Sequence, residues 1–299
     1  MNPDSPADIR ALLSERGLAL KKRWGQNFLV NRGARERLVS LLDPGQGHVV
    51  WEIGPGLGSM TGLLLEKSLR VTAFEVDRGL CRYLAESFGG RPSFLLVEGD
   101  FLETWKTAMS AHGVPDRILG NLPYSSASLM IADIIEAGVR PSLMIFTVQR
   151  ELADRMQSAP GTKSYSSFSV LCQSCFHVAG HGDLKPGSFY PVPEVVSSII
   201  SMKPRQDAPN PRELRLLSLL VRGLFSSRRK TLRNNLGSPW LGPVVGPEAG
   251  LEALRREGID PGARAEELPP EVCVRLARGL AAAGGSVPAG AGATGSSAP

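Results

Sequence analysis

Cysteine is scarce in this chain, with four in 299 residues (Cys81, Cys172, Cys175 and Cys273), too few and too scattered for a disulfide framework. Cys172 and Cys175 form a C-x-x-C with His177 close behind, but no second pair completes a ligand set. Core packing is therefore the expectation, with neither metal nor disulfide. No run approaches the roughly 20 apolar residues of a membrane span. Residues 1–10 also lack the apolar core of a signal peptide. These absences argue against a secreted or membrane protein and predict a cytoplasmic one. What is present is a chain with 42% hydrophobic residues, long enough for one large domain and a small one.

Charge is modest in total and uneven in placement. The formal net charge is +5. Lys21, Lys22 and Arg23 cluster near the start, and Arg222, Arg228, Arg229, Lys230 and Arg233 cluster late. Such patches are either solvated surface or contacts to nucleic-acid phosphates.

The first two thirds of the chain alternate between short β-rich runs and helical patterns. Residues 48–53 form a β-rich run followed at once by Gly54-Pro55-Gly56-Leu57-Gly58 and a helical pattern over 59–69. Strand, glycine loop and helix open a doubly wound nucleotide-binding fold, in which glycines let the backbone approach a ligand. The spacing is G-x-G-x-G and not the G-x-G-x-x-G of dinucleotide sites. A second run, 70–76, delivers Glu75 at its end, 21 residues after Gly54, where an acidic residue can accept both hydroxyls of a ribose. A third run, 93–97, leads to Asp100, a candidate acceptor for the amine of an adenine.

The apolar stretch 114–119 reads as a buried strand leading into Asn121-Leu122-Pro123-Tyr124. The Asn121 amide oxygen and the Leu122 carbonyl can both accept N–H bonds from an exocyclic amine, and the Tyr124 ring can stack on a base drawn from its helix. An ordinary strand-to-helix turn remains the alternative. Since ligands bind beyond the carboxyl ends of strands in open α/β sheets, Gly54, Glu75, Asp100 and Asn121 are expected to converge on one crevice.

Further along, 126–137, 151–157 and 164–175 read as helices and 142–149 as a strand. Two β-rich runs, 176–181 and 195–202, flank a proline-rich loop over 185–193 and predict an antiparallel hairpin at the sheet edge. Phe189 in that loop either faces Tyr124 across an aromatic sandwich or plugs the domain edge. After a linker at 203–211 the pattern turns helical: 213–225, 226–236, 247–257 and 270–282. The division expected is an α/β domain over 1–203, including an N-terminal cap segment, then a small α-helical domain over 204–283 whose basic segment suits phosphate contacts. A disordered Gly/Ala/Ser/Pro-rich tail is expected over 284–299.

Five motifs carry a resemblance. Gly-Gln-Asn-Phe-Leu (25–29), Glu-Ile-Gly-Pro-Gly-Leu-Gly (52–58), Gly-Asn-Leu-Pro-Tyr (120–124), Phe-Tyr-Pro-Val-Pro-Glu-Val (189–195) and Leu-Phe-Ser-Ser-Arg-Arg-Lys-Thr-Leu-Arg-Asn-Asn-Leu (224–236) lie between about residues 21 and 280. Together they resemble the KsgA-type small-subunit ribosomal RNA adenine dimethyltransferases. The resemblance implies a Rossmann-like class I S-adenosylmethionine-dependent fold with a small C-terminal helical domain. It also implies dimethylation of N6 on two adjacent adenosines near the 3′ end of 16S rRNA, by a monomer acting on a pre-30S particle. By the same resemblance Asn27, Leu29, Gly54, Gly56, Glu75, Asp100 and Asn121 bind S-adenosylmethionine. Two positions depart from the family pattern: Ser125-Ser126-Ala127 stands where Asn-Ile-Ser is common, and Val196 where an acidic residue is usual. Three other readings are open: an Erm-type 23S rRNA methyltransferase, a 30S assembly checkpoint factor, and a DNA adenine methyltransferase.

Overall fold

The computed structural model describes residues 2–20, 24–239 and 241–282. The basic triplet at 21–23 and the tail from 283 lie outside them. A short helix, α1 (Pro6–Glu15), is capped by the Ser5 hydroxyl, which accepts from Asp8 N–H. The chain then passes through a two-residue strand, β1 (Phe28–Leu29), into α2 (Arg32–Leu41), where Asn31 is the cap.

The apolar runs become a parallel sheet. β2 (Val49–Ile53), α3 (Ser59–Glu66), β3 (Arg70–Glu75), α4 (Arg78–Phe88), β4 (Phe94–Glu98), α5 (Phe101–His112), β5 (Arg117–Asn121), α6 (Ala127–Glu136) and β6 (Leu143–Gln149) alternate strictly. Every β2, β3, β4, β5 and β6 contact within this set is parallel. Burial on both faces explains why β2, β3, β5 and β6 read as near-continuous apolar runs and not as alternating ones, whereas β4 at the sheet edge is only half-buried. One face packs Val50, Val71, Leu119 and Ile145 against Leu38 and Leu64 of α2 and α3. The other carries edge-to-face rings, with Trp51 and Phe74 at 5.0 Å and Phe74 and Phe101 at 5.1 Å between centroids.

Beyond β6 come α7 (Arg150–Gln157), α8 (Ser167–Cys175), β7 (Phe176–Leu184), β8 (Phe189–Tyr190) and β9 (Ser197–Pro204). The seven-stranded sheet runs in the order β4-β3-β2-β5-β6-β9-β7, so the late strands close one edge, and β9 is antiparallel to β6. β8 pairs instead with β1, Phe28 opposite Tyr190 and Leu29 opposite Phe189.

The helical region comprises α9 (Pro211–Leu224), α10 (Leu232–Leu236), α11 (Gly242–Val245), α12 (Pro247–Arg256) and α13 (Pro270–Ala282). Two compact units result: residues 2–133, 140–153 and 178–204, and residues 134–139, 154–177 and 205–282. A single cut near 204 does not describe this, because α8 packs on α9 and α13 and so joins the helical unit. The helix expected over 226–236 is also shorter. Its first half is a turn, in which Asn235 Nδ2 donates back to the carbonyls of Leu224 at 2.6 Å and Ser227 at 3.0 Å. All four cysteines are buried thiols. Among the described residues no helix is long and apolar enough to cross a membrane.

Candidate active site

The parallel strands end on one side of the sheet, and their C-terminal ends open a cleft of about 210 Å³. Gly54, Gly56, Glu75, Asp100 and Asn121 all line it, together with Asn27. Each is there for a local reason. Gly54, Gly56 and Gly58 adopt φ of +70°, +59° and +72°, the left-handed region in which a side chain is strained. A Cβ on Gly56 would meet the Phe28 ring at 2.9 Å, so the loop needs glycine for space as well as for conformation.

Glu75, at the end of β3, is 5% exposed, and its carboxylate accepts from Gly56 N–H at 3.2 Å and Asp77 N–H at 2.9 Å. Burial raises its pKa to about 7, opposed by those backbone bonds. Asp77 in turn caps α4 through Gly79 N–H at 2.7 Å and accepts from Gln26 Nε2 at 3.3 Å. Asp100 caps α5, its Oδ1 accepting from Leu102 N–H at 2.9 Å.

Asn121 is the last residue of β5. Its Nδ2 donates to the Asn27 carbonyl at 2.7 Å, and its Oδ1 accepts from the Thr147 hydroxyl at 2.5 Å. The segment around residues 24–28 thus forms one wall of the cleft, with Trp24, Gln26 and Phe28 also facing it. Ile53, Phe74, Val76, Leu80 and Phe101 supply the apolar remainder.

Several expected site residues are not among those whose side chains line the cleft. Phe189 is 1% exposed and belongs to the apolar cluster that contains Leu29, Leu38 and Leu64, where its pairing opposite Leu29 puts it. It is the ring that plugs the domain edge, not an aromatic facing Tyr124. Leu29, 4% exposed, sits in the same cluster and outside the cleft lining. Leu122 is buried as well, its N–H donating to the Thr147 carbonyl at 3.1 Å. Tyr124 is half-buried beside the cleft and shares a 2.6 Å hydrogen bond with the Ser197 hydroxyl. Burial holds its pKa above the usual tyrosine value. Ser125 and Ser126 line the cleft, whereas Val196 contributes a carbonyl that accepts Arg150 N–H at 3.0 Å.

The late basic residues separate into two kinds. Arg222 is ion-paired with Glu136 at 2.7 Å. Arg228 pairs with Glu266 at 2.8 Å and donates to the Lys163 carbonyl at 2.7 Å. Arg229, Lys230 and Arg233 are exposed, and among the described residues they make no ion pair. Lys21, Lys22 and Arg23 fall outside the described residues.

Sequence reasoning passed over Thr147 and gave the buried Glu52 no role of its own; Trp24 and Gln26, which line the cleft, lie in the 21–29 segment whose polar amides suggest a loop that closes over something. Glu52 lies on β2 and is fully buried, its Oε2 accepting the Thr61 hydroxyl at 2.5 Å. Burial raises its pKa to about 7.

The model of the family described as ribosomal RNA adenine dimethylase matches residues 17–282. A curated relative from Treponema denticola named ribosomal RNA small subunit methyltransferase A is 42% identical over 269 residues, covering 89% of this chain and 92% of its own length. A relative of the same name from Treponema pallidum is 41% identical, with 89% and 93% covered. Among solved structures, a dimethyladenosine transferase from Plasmodium falciparum superposes with a TM-score of 0.71 at 21% identity, covering 85% of this chain and 97% of that one. The 23S rRNA methyltransferase ErmE superposes with a TM-score of 0.59 at 24% identity, covering 85% and 99%. These two superpositions show a Rossmann-like fold with a smaller helical unit. With its glycine loop, Glu75 and Asn121 gathered at the strand ends, and a family match over nearly its whole length, the chain belongs to the ribosomal RNA adenine dimethylase family.

Proposed function

We propose that the protein transfers methyl groups from S-adenosylmethionine to N6 of two adjacent adenosines near the 3′ end of 16S rRNA, acting as a monomer on a pre-30S particle in the cytoplasm. One observation carries the reading: Asn121 shares a cleft with the glycine loop and with Glu75, so a base-amine acceptor and a nucleoside-binding carboxylate face the same space. The residues present suit such a donor. Glu75 offers a buried carboxylate for ribose hydroxyls, Asp100 an acceptor for an amine, and the apolar walls a bed for a purine. Gly54 and Gly56 of the glycine loop line the same cleft, where the amino-acid end of the donor would face them. Bound there, S-adenosylmethionine would supply an electrophilic methyl on a sulfonium.

The chain's own residues then have one main task. The N6 lone pair of adenine is delocalised into the ring and is a poor nucleophile. Hydrogen bonds from its N–H groups to the Asn121 amide oxygen and the Leu122 carbonyl favour a pyramidal nitrogen and aim its lone pair. Orientation of this kind can account for roughly 7 to 11 kcal/mol of a barrier. No strong base is required, because the methylated nitrogen is acidic and releases its proton to water. Tyr124, held through its hydroxyl by Ser197, offers its ring as the stacking platform.

Incubation with undermethylated 30S particles and labelled S-adenosylmethionine, followed by mapping of the product nucleosides, tests this reading. N6,N6-dimethyladenosine at two neighbouring positions of 16S rRNA is the expected product. Modification confined to 23S rRNA or to duplex DNA would overturn it.

A further inference from the structure

Thr147 lies within β6 and is fully buried, where a hydroxyl without a partner is costly. Its partner is Asn121. Sheet register places the two residues directly opposite each other on β5 and β6, one step beyond the Gly120 and Phe146 pair, so their side chains leave the same face. The Thr147 hydroxyl donates to Asn121 Oδ1 at 2.5 Å, while Asn121 Nδ2 donates to the Asn27 carbonyl at 2.7 Å. These two bonds are complementary. A flipped amide would set its NH₂ against the hydroxyl and its oxygen against the Asn27 carbonyl, two acceptors face to face, so only one orientation is satisfied.

A carboxamide oxygen accepts two hydrogen bonds, and Thr147 takes one. We infer that Thr147 is a positioning residue: it locks the Asn121 amide so that one remaining oxygen lone pair meets the N6–H of the target adenine, and this lock bears chiefly on the second methyl transfer. The inference rests on the reading of Asn121 given above. An unmodified adenine carries two N6–H groups and can use the Asn121 oxygen and the Leu122 carbonyl together. The monomethylated base has one N–H left. With a single donor, a misoriented amide presents an N–H to an N–H, and no second bond holds the nitrogen in line. Loss of the lock is therefore tolerated better in the first round than in the second.

The test compares Thr147→Val, which keeps shape and removes the hydroxyl, with Thr147→Ser, which keeps the hydroxyl and removes the methyl. Thr147→Ala serves as a second hydroxyl-free variant should the valine protein fail to fold. Each is given undermethylated 30S particles and labelled S-adenosylmethionine, and the N6-monomethyl and N6,N6-dimethyl products are quantified over time. We expect the hydroxyl-free variants to slow the second transfer about tenfold, the worth of one buried hydrogen bond, and to accumulate monomethyladenosine. KM for S-adenosylmethionine should move less than twofold, and Thr147→Ser should match the wild type within about twofold. A wild-type product ratio from Thr147→Val, or a serine variant as impaired as the valine one, would overturn the inference while leaving Asn121 in its role. A wild type that makes no N6-methyladenosine, or an Asn121→Ala variant that dimethylates normally, would remove both.

Discussion

The Gly56 N–H donates to Glu75 Oε2 at 3.2 Å, so the glycine loop after β2 and the carboxylate at the end of β3 are fastened to each other before any ligand arrives. Asp77 N–H holds the other oxygen at 2.9 Å. Two donors do not outweigh burial, which raises the Glu75 pKa to about 7. A ligand that brings hydroxyl donors to this carboxylate favours its charged form, so binding expels a proton wherever the free protein holds one. Affinity for S-adenosylmethionine should therefore rise about tenfold between pH 6 and pH 8 as the free carboxylate ionises across that interval. Calorimetric titration at several pH values checks this, and Glu75→Gln should bind more weakly with a flat profile. A wild-type affinity independent of pH would separate Glu75 from the ligand.

Gly56 has two reasons to be glycine, and they act differently. Its φ of +59° costs a side chain about 1 to 2 kcal/mol. A Cβ would also lie 2.9 Å from two atoms of the Phe28 ring. Phe28 belongs to the cleft wall and to β1, so a ring displaced by the new methyl disturbs the cleft itself. Gly56→Ala should lower the melting temperature by several degrees and weaken S-adenosylmethionine binding by more than the stability loss alone explains. Calorimetry and thermal melts on the same preparation separate the two, and an alanine variant with unchanged affinity would show that Phe28 moves without cost.

Glu52 provides a test of stability apart from catalysis. It is fully buried, has one hydrogen bond from Thr61, and among the described residues its Oε1 has no partner. Burial raises its pKa from 4.5 in the unfolded chain to about 7. The folded state thus binds the proton more tightly than the unfolded state. Its contribution is fully present below about pH 4.5 and is lost as pH rises through about 7. Glu52→Gln stays neutral and should remove this slope, so that the stability of wild type relative to the variant falls by up to roughly 3 kcal/mol between pH 4.5 and pH 8. Urea denaturation over that range measures it, and parallel curves would show that Glu52 does not titrate there.

Local features of the site were legible because local chemistry sets them. The G-x-G-x-G spacing predicts a loop that side chains would strain, and Gly54, Gly56 and Gly58 adopt positive φ. Four apolar runs ending in Gly54, Glu75, Asp100 and Asn121 predict one crevice, since parallel strands end on the same side. What stayed hidden depends on partners far along the chain. Phe189 in its proline loop reads equally as a sandwich partner for Tyr124 or as a plug of the domain edge, and only its pairing opposite Leu29 puts it in the core. Thr147 is one β-branched residue among many, and only sheet register aims it at Asn121. The α5 helix had a signal in the spacing of Phe101, Trp105 and Ala108, its buried residues. Asp100, which the sequence presents as an acceptor for an adenine amine, begins that helix: it lines the cleft and also caps α5.

The basic segment of the helical unit separates charge that is committed from charge that is available. Arg228 is tied to Glu266 and to the carbonyls of Lys163 and Thr162, joining the 226–231 turn to two other loops. Arg229, Lys230 and Arg233 point outward, and the turn that presents them is held by Asn235 from beneath. Truncating Arg228 should therefore act on folding, lowering the melting temperature by about 2 to 4 °C, with a smaller effect on how RNA binding depends on salt. Replacing Arg229, Lys230 and Arg233 together by alanine should leave the melting temperature nearly unchanged and weaken binding to 30S particles. Each phosphate contact contributes about 0.7 to 0.9 to the slope of log affinity against log salt concentration, so the triple variant should lose about 2 to 3 from it. Binding measured from 50 to 300 mM potassium chloride decides the matter: an unchanged slope in the triple variant would place the RNA on another face of the protein.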